Sequence, residues 1–262
     1  MGCLLKPKDP MNHNALPNDS STSFDVAQLT RELAQVRTEF QDFVHTVSHD
    51  LRAPLRHINA FAKIIEEDLI DPPPDILGHL ATIRQSAQLL TKQLDGLTLL
   101  SRLGEYPLQL QAVDVSGLVQ ALSLELMQPC PGRPVQWQLA QDVPVVRADA
   151  ELLRQLFTHL LDNALKFSRC RTPALVTLTW ASAPNAPGQC QISLADNGVG
   201  FAAEAAGKLG KVFARLHTVR DFEGLGLGLV ASRKIVERLG GSLAITAQLN
   251  VGCQVVVTLP RA

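Results

Sequence analysis

Residues 43–61 read FVHTVSHDLRAPLRHINAF, and their reading decides the first half of the fold. Apolar positions recur in alternating steps of four and three: Leu29, Leu33, Val36, Phe40, Phe43 and Val47 form a heptad seam that runs straight into this stretch. Such a seam predicts a long helix that needs a packing partner. The same stretch carries three histidines, an acid beside the middle one, two arginines and a proline. Charged and titratable groups are costly on a helix that also has to pack, unless one of them reacts. Pro54 has no N–H to donate and predicts a kink close to His49.

Working outward, DPPPD at residues 71–75 predicts the end of this helix, because prolines remove backbone donors and disfavour helix in the residues before them. A second periodic stretch, residues 76–103, places Leu80, Ile83, Ala87, Leu90, Leu94 and Leu97 on one face. Two helices and a short turn make a hairpin whose apolar stripe is uncovered. Pairing two hairpins into a four-helix bundle covers it, which predicts a homodimer. Ahead of the seam, residues 1–23 mix Pro, Asn, Asp and Ser without periodicity and predict a disordered tail or linker.

Residues 24–108 are therefore expected to form the hairpin, and 109–262 a second domain of mixed texture. There, residues 115–127, 149–168 and 229–241 read as helices, and 134–140, 174–182 and 190–196 as strands. Residues 242–248 and 253–260 close the chain as a hairpin. Helices and strands do not alternate, so an α+β layer with helices packed on a sheet is expected rather than a parallel dinucleotide-binding unit.

Composition narrows the function classes. The chain has 262 residues, 46% of them hydrophobic, and a formal net charge of -1. That balance gives no basic footprint for nucleic acid. No apolar run approaches the roughly 20 residues that span a bilayer, so no direct membrane insertion is expected. The start MGCLLKPKDP lacks a secretory core, and Lys6 stands where a myristoylation site needs Ser or Thr. A soluble, cytoplasmic protein is the expectation. The five cysteines (Cys3, Cys130, Cys170, Cys190 and Cys253) are scattered, with no C-x-x-C pair, and read as reduced thiols.

Four clusters in the second half carry chemistry. In DNALKF, Asn163 sits on a helix with Asp162 beside it and Lys166 one turn on, which sets an amide oxygen for a hard cation near an ammonium for phosphate. Taken alone, a mid-helix Asn is more often a structural hydrogen-bonding group. In LADNGVGF, Asp196 ends an apolar strand ahead of Gly198 and Gly200. Its carboxylate suits an exocyclic amino group such as that of adenine, while an ordinary Asp-Asn-Gly turn accounts for the same residues. In EGLGLGLV, Gly224, Gly226 and Gly228 precede a helix whose exposed backbone donors favour phosphate. Between these two clusters, residues 202–222 are long and polar, as a mobile lid would be, and Arg215 within them is placed to reach terminal phosphates.

In their order and spacing, SHDLRAPL, DNALKF, DNGVGF, KVFARLH and GLGLGL resemble the H, N, G1, F and G2 boxes of sensor histidine kinases, and most closely the phytochrome-type modules. The resemblance covers nearly the whole chain. It implies a dimeric hairpin followed by a Bergerat-type α/β sandwich that binds ATP. It implies His49 as phosphoacceptor with Asp50 holding its other ring nitrogen. It further implies Asn163 on Mg2+, Lys166 on phosphate, Phe167, Asp196, Gly198, Gly200, Arg215, Gly224, Gly226 and Gly228 around the nucleotide, and a response-regulator receiver domain as phosphate acceptor. A signal would enter through a partner in trans, through the long helix, or through a further sensor domain.

Three departures from the family pattern stand out. His159 occupies a place where the N box often has Asn, and is expected to weaken metal binding or to serve as a ligand itself. Gly210 replaces a Phe of the F box, although Phe213 is kept. Ala53 stands where phosphatase-active members carry Thr or Asn, so weak phosphatase activity is expected. A zinc site at His45 and His49 is disfavoured, because Thr46 stands where H-E-x-x-H needs Glu. The alternatives to a working kinase are a degenerate, dimeric scaffold and another ATPase on the same nucleotide fold.

Overall fold

A computed structural model describes residues 19–104, 107–127, 132–184, 186–202, 207, 209–216 and 222–262. Residues 1–18 of the expected tail, Cys3, Cys130 and much of the expected lid fall outside them, whereas residues 19–23, expected as tail or linker, already belong to a helix. The chain divides into two compact units, Met1–Val44 and His45–Ala262. Helix α1 (Asp19–Asp68) crosses that division.

In the first unit, α1 presents Leu29, Leu33, Val36, Phe40 and Phe43 to solvent, each more than half exposed. The helix supports itself locally by i,i+4 bonds from Gln28 to Glu32 and from Gln35 to Glu39, 2.9 Å each.

In the second unit, α1 continues to Asp68 and α2 (Pro74–Arg102) returns beside it. Arg52 binds Asp95 at 2.9 Å and Arg84 binds Glu66, pairings that fix an antiparallel hairpin. Ser48, Leu55 and Ala62, spaced by seven, are buried on α1, as are Leu80, Ala87, Thr98 and Leu100 on α2. A second row, Leu51, Ile58, Phe61 and Ile65, stays exposed. Pro54 lies inside α1 without ending it. Its missing N–H withholds the bond that the Asp50 carbonyl would otherwise receive.

Beyond the hairpin, β1 (Leu110–Val113) pairs antiparallel with β3 (Val146–Asp149) in a small sheet. Neither strand was expected: each is four residues long and acquires its character from the other. A five-stranded sheet has the order β2-β4-β5-β7-β6, from β2 (Val135–Leu139), β4 (Ala174–Ser182), β5 (Gln189–Asp196), β6 (Ser242–Gln248) and β7 (Gly252–Pro260). β2 and β4 run parallel, and the other neighbours antiparallel. Helices α3 (Val115–Met127), α4 (Ala150–Phe167) and α5 (Gly228–Arg238) share one core with this sheet.

The site hangs on α4. Asp149 caps it, its carboxylate accepting from the amides of Glu151 and Leu152 at 3.1 Å and from that of Gln109 at 2.9 Å. One face, Leu152, Leu153, Leu156, Phe157, Leu160 and Leu161, is sealed against the sheet. The opposite polar stripe is thereby fixed. Phe157 is fully buried, and Phe157→Ala is expected to destabilise the folded unit by about 3–5 kcal/mol in denaturant titration, through lost transfer energy plus an unfilled cavity.

Candidate functional site

A cavity of about 370 Å³ opens where α4, the ends of β5 and β7, and the glycine-rich segment before α5 meet. His159, Asn163, Lys166 and Phe167 line it from α4, Asp196 and Gly200 from the β5 end, and Gly224, Gly226 and Gly228 from the segment leading into α5. Gly210 and Arg215 border it as well. The structure thus gathers residues as far apart as Asn163 and Gly228 that belong to separate clusters in the sequence. Gly198 does not line the cavity; its amide donates to Asp196 Oδ1 at 2.8 Å, and a Cβ there would press on the Phe167 carbonyl oxygen at 2.6 Å.

At the polar end, Lys166 Nζ donates to Asn163 Oδ1 at 2.8 Å. Burial, then the nearby Arg215, lowers the Lys166 pKa, with Asp162 and Glu223 opposing. Burial also lowers the His159 pKa, against the pull of Asp162, so its imidazole is neutral at pH 7. α5 begins at Gly228 with no side chain capping its amides, which leaves backbone donors and the positive end of the helix dipole facing the cavity. Gly224 approaches so closely that a Cβ would lie 3.4 Å from Lys166 Nζ. Gly226, at φ 73°, would drive a Cβ into the Ala214 carbonyl. Gly226→Ala is therefore expected to displace the segment and weaken nucleotide binding, measured by titrating a fluorescent ATP analogue, with a strain cost of about 1–2 kcal/mol.

At the apolar end, Asp196 sits among Leu194, Ile245, Cys253 and Val255. Burial raises its pKa to about 6, although the amides of Gly198 and Cys253 donate to it. Cys253 beside it is pushed up to about 12, first by burial and then by the Asp196 charge, so it remains a neutral thiol. A desolvated acceptor ringed by apolar walls suits a flat heterocycle bearing an amino group.

Arg215 lines the cavity, but its guanidinium donates to the carbonyls of Phe222 and Gly224. Reaching a phosphate requires exchanging these bonds. Phe222 packs against Phe167 with centroids 5.0 Å apart and the rings tilted by 57°. The sequence reading missed Phe222 and Cys253. The signal for Cys253 was its place at the start of the last strand, where it pairs with Asp196 in the β5–β7 register.

His49 and Asp50 do not line the cavity. Both are exposed on α1, His49 by 76% and Asp50 by 71% of the side chain, and His49 Nδ1 lies 3.2 Å from Asp50 Oδ1. With Nδ1 engaged as the protonated nitrogen, Nε2 is the free lone pair. His45 and His57 are exposed on the same helix.

The residues fit a magnesium ion bound chiefly through substrate phosphates. Asn163 supplies one neutral oxygen donor and His159 a neutral imidazole, and among the described residues no group of three His, Cys, Asp or Glu side chains gathers into a protein cage.

Residues 41–105 match the family model of the His Kinase A (phospho-acceptor) domain, and residues 148–262 that of the histidine kinase-, DNA gyrase B-, and HSP90-like ATPases. His49 falls in the first match and the cavity in the second. Cyanobacterial phytochrome B of Nostoc sp. is 28% identical over 90% of this chain and 31% of its own length. Sensor protein RprX of Bacteroides fragilis is 26% identical over 84% of this chain and 43% of its own length. The chain thus spans a third to under half of these relatives. Among solved structures, full-length ShkA in complex with AMPPNP superposes with a TM-score of 0.59 at 26% identity, over 84% of this chain and 46% of that one. The chain belongs to the two-component sensor histidine kinases, as the catalytic module that joins a phosphoacceptor hairpin to an ATPase-type domain.

Proposed function

We propose that this chain is an ATP-dependent protein-histidine kinase that phosphorylates His49 and passes the phosphoryl group to an aspartate of a response-regulator receiver domain. One observation carries the reading: a single cavity combines a desolvated acceptor for a nucleobase with an ammonium, a neutral amide and an uncapped helix end for phosphates, in a chain that also exposes a histidine paired with an acid.

Asp196 receives the adenine amino group against the apolar wall. The phosphates extend towards Lys166 and the amides at the start of α5, with Arg215 available once the lid carbonyls release it. Asn163, with His159 beside it, holds Mg2+, which when bound neutralises charge on the phosphate oxygens. His49 Nε2 forms the new P–N bond as the bond between the γ-phosphorus and its bridging oxygen breaks, and ADP leaves. Asp50 keeps the proton on Nδ1 and stabilises the positive charge that grows on the ring.

The exposed row Leu51, Ile58, Phe61 and Ile65 supports a homodimer in which a second hairpin covers it. We place the phosphotransfer hairpin at 24–108 and the catalytic domain at 109–262, with the signal delivered by a sensor domain or partner. Among the described residues no helix is long and apolar enough to cross a membrane, and a need for ATP agrees with a cytoplasmic site of action. The test is incubation with γ-labelled ATP and Mg2+. Label that survives base and is lost in acid supports the reading, and its absence under conditions where nucleotide binds contradicts it.

A further inference from the structure

The turn that carries Asp196 is tied down from outside the cavity. Arg171, in the connector between α4 and β4, donates from Nε to the Asn197 carbonyl at 2.9 Å and from Nη2 to the Gly198 carbonyl at 3.2 Å. The same Nη2 donates to the carbonyl of Asn250, at the tip of the β6–β7 hairpin, at 2.6 Å. Asn250 is itself held at φ 62°, and its amide donates to the Val199 carbonyl at 2.7 Å. The Arg171 amide bonds the Ser168 carbonyl at 2.9 Å, which anchors the side chain to the end of α4.

These bonds converge on one peptide segment. Gly198, whose carbonyl Arg171 holds, is the residue whose amide fixes Asp196 Oδ1 at 2.8 Å. Asn197, the other residue held, also clamps β4: its side-chain oxygen accepts from the Leu175 amide at 2.9 Å, and its side-chain nitrogen donates to the Pro173 carbonyl at 3.1 Å. One carboxylate oxygen is thereby committed to the turn and the orientation of the other is set by it. A planar guanidinium serves several acceptors from one fixed position, whereas a lysine ammonium on a flexible stem does not reproduce that fork.

The geometry points to Arg171 as a positioning residue for nucleobase recognition, holding the turn so that Asp196 distinguishes a 6-amino purine from a 6-oxo purine. This rests on the kinase reading. A 6-amino group donates to the carboxylate, whereas a 6-oxo group would set oxygen against oxygen, so the discrimination depends on a fixed carboxylate orientation.

The test uses the full chain, with Arg171→Lys as the main variant and Arg171→Ala beside it. Displacement of a fluorescent ATP analogue by ATP and by GTP gives both dissociation constants, thermal melting reports stability, and labelling kinetics give KM and kcat. In Arg171→Lys the ATP Kd is expected to rise about tenfold, the equivalent of one charge-assisted hydrogen bond, and the preference for ATP over GTP to fall with it. The loss should appear in KM more than in kcat, with Arg171→Ala more severe. A melting temperature that drops while the ATP-to-GTP ratio stays at the wild-type value overturns the inference and leaves the kinase reading intact. Wild-type protein that binds no ATP overturns both.

Discussion

Autophosphorylation is expected to fall to background in His49→Gln, while nucleotide binding stays at the wild-type level. Glutamine keeps similar bulk and hydrogen-bonding capacity on an exposed helical position but offers no nucleophilic nitrogen lone pair, since its amide nitrogen is conjugated. His49 does not line the cavity, so its replacement leaves the nucleotide's contacts in place. His45 and His57 are exposed on the same helix, yet neither has an acid beside it in sequence, and neither is expected to substitute. Asp50→Asn should reduce the rate by about 10²–10⁴, the usual worth of a positioned acid–base partner, without abolishing it. Labelling with γ-labelled ATP checks both variants. Label retained in His49→Gln would identify a different acceptor and break the proposed mechanism.

The second large effect concerns Asp196. Its pKa is raised from 3.8 to about 6 by burial. Since the folded-state value lies above the unfolded one, the favourable contribution of this group is fully present below about 3.8 and is lost as pH rises through about 6. Above that pH the protein carries a desolvated charge, and Asp196→Asn is expected to melt higher than wild type at pH 8 when no nucleotide is present. Function moves the opposite way. An amino group donates most strongly to the ionised form, so ATP affinity should be flat above pH 7 and fall on acidification through about pH 6, with a proton released on binding in that window. Asp196→Asn should weaken ATP by on the order of 10–100-fold and flatten this profile. Calorimetric titrations in buffers of differing ionisation enthalpy read both. Affinity that persists in Asp196→Asn with the pH profile unchanged would remove Asp196 from the recognition of the base.

Elements whose identity is written locally were legible in the sequence. α3 and β4 occupy the residues that their apolar periods mark, Val115–Met127 and Ala174–Ser182, because both bury one face and repeat at a fixed step. The prolines after Asp71 end the hairpin's first helix for a reason internal to the backbone. β1 and β3 were not legible, because four residues carry too little period and each becomes a strand only by pairing with the other. The cavity shows the same division. Asn163, Lys166, Asp196 and the glycines announce themselves by residue type near a helix or strand end, whereas Phe222 and Cys253 are ordinary apolar residues until the sheet register and the tilted aromatic contact bring them in. Arg171 was invisible because one of its acceptors, Asn250, lies 79 positions away. Pro54 bears on the helix without bounding it: its missing N–H predicts a kink near His49, and helix α1 continues through it.

The central claim is that His49 accepts the γ-phosphoryl group through Nε2, and the most direct measurement is the site and isomer of the phosphohistidine. The protein is labelled with ATP and Mg2+, digested under alkaline conditions, and mapped by mass spectrometry, with phosphorus–nitrogen connectivity read by NMR on the intact phosphoprotein. The pairing of Nδ1 with Asp50 predicts phosphate on His49 at Nε2. Phosphate at Nδ1, or on any other side chain, would contradict it.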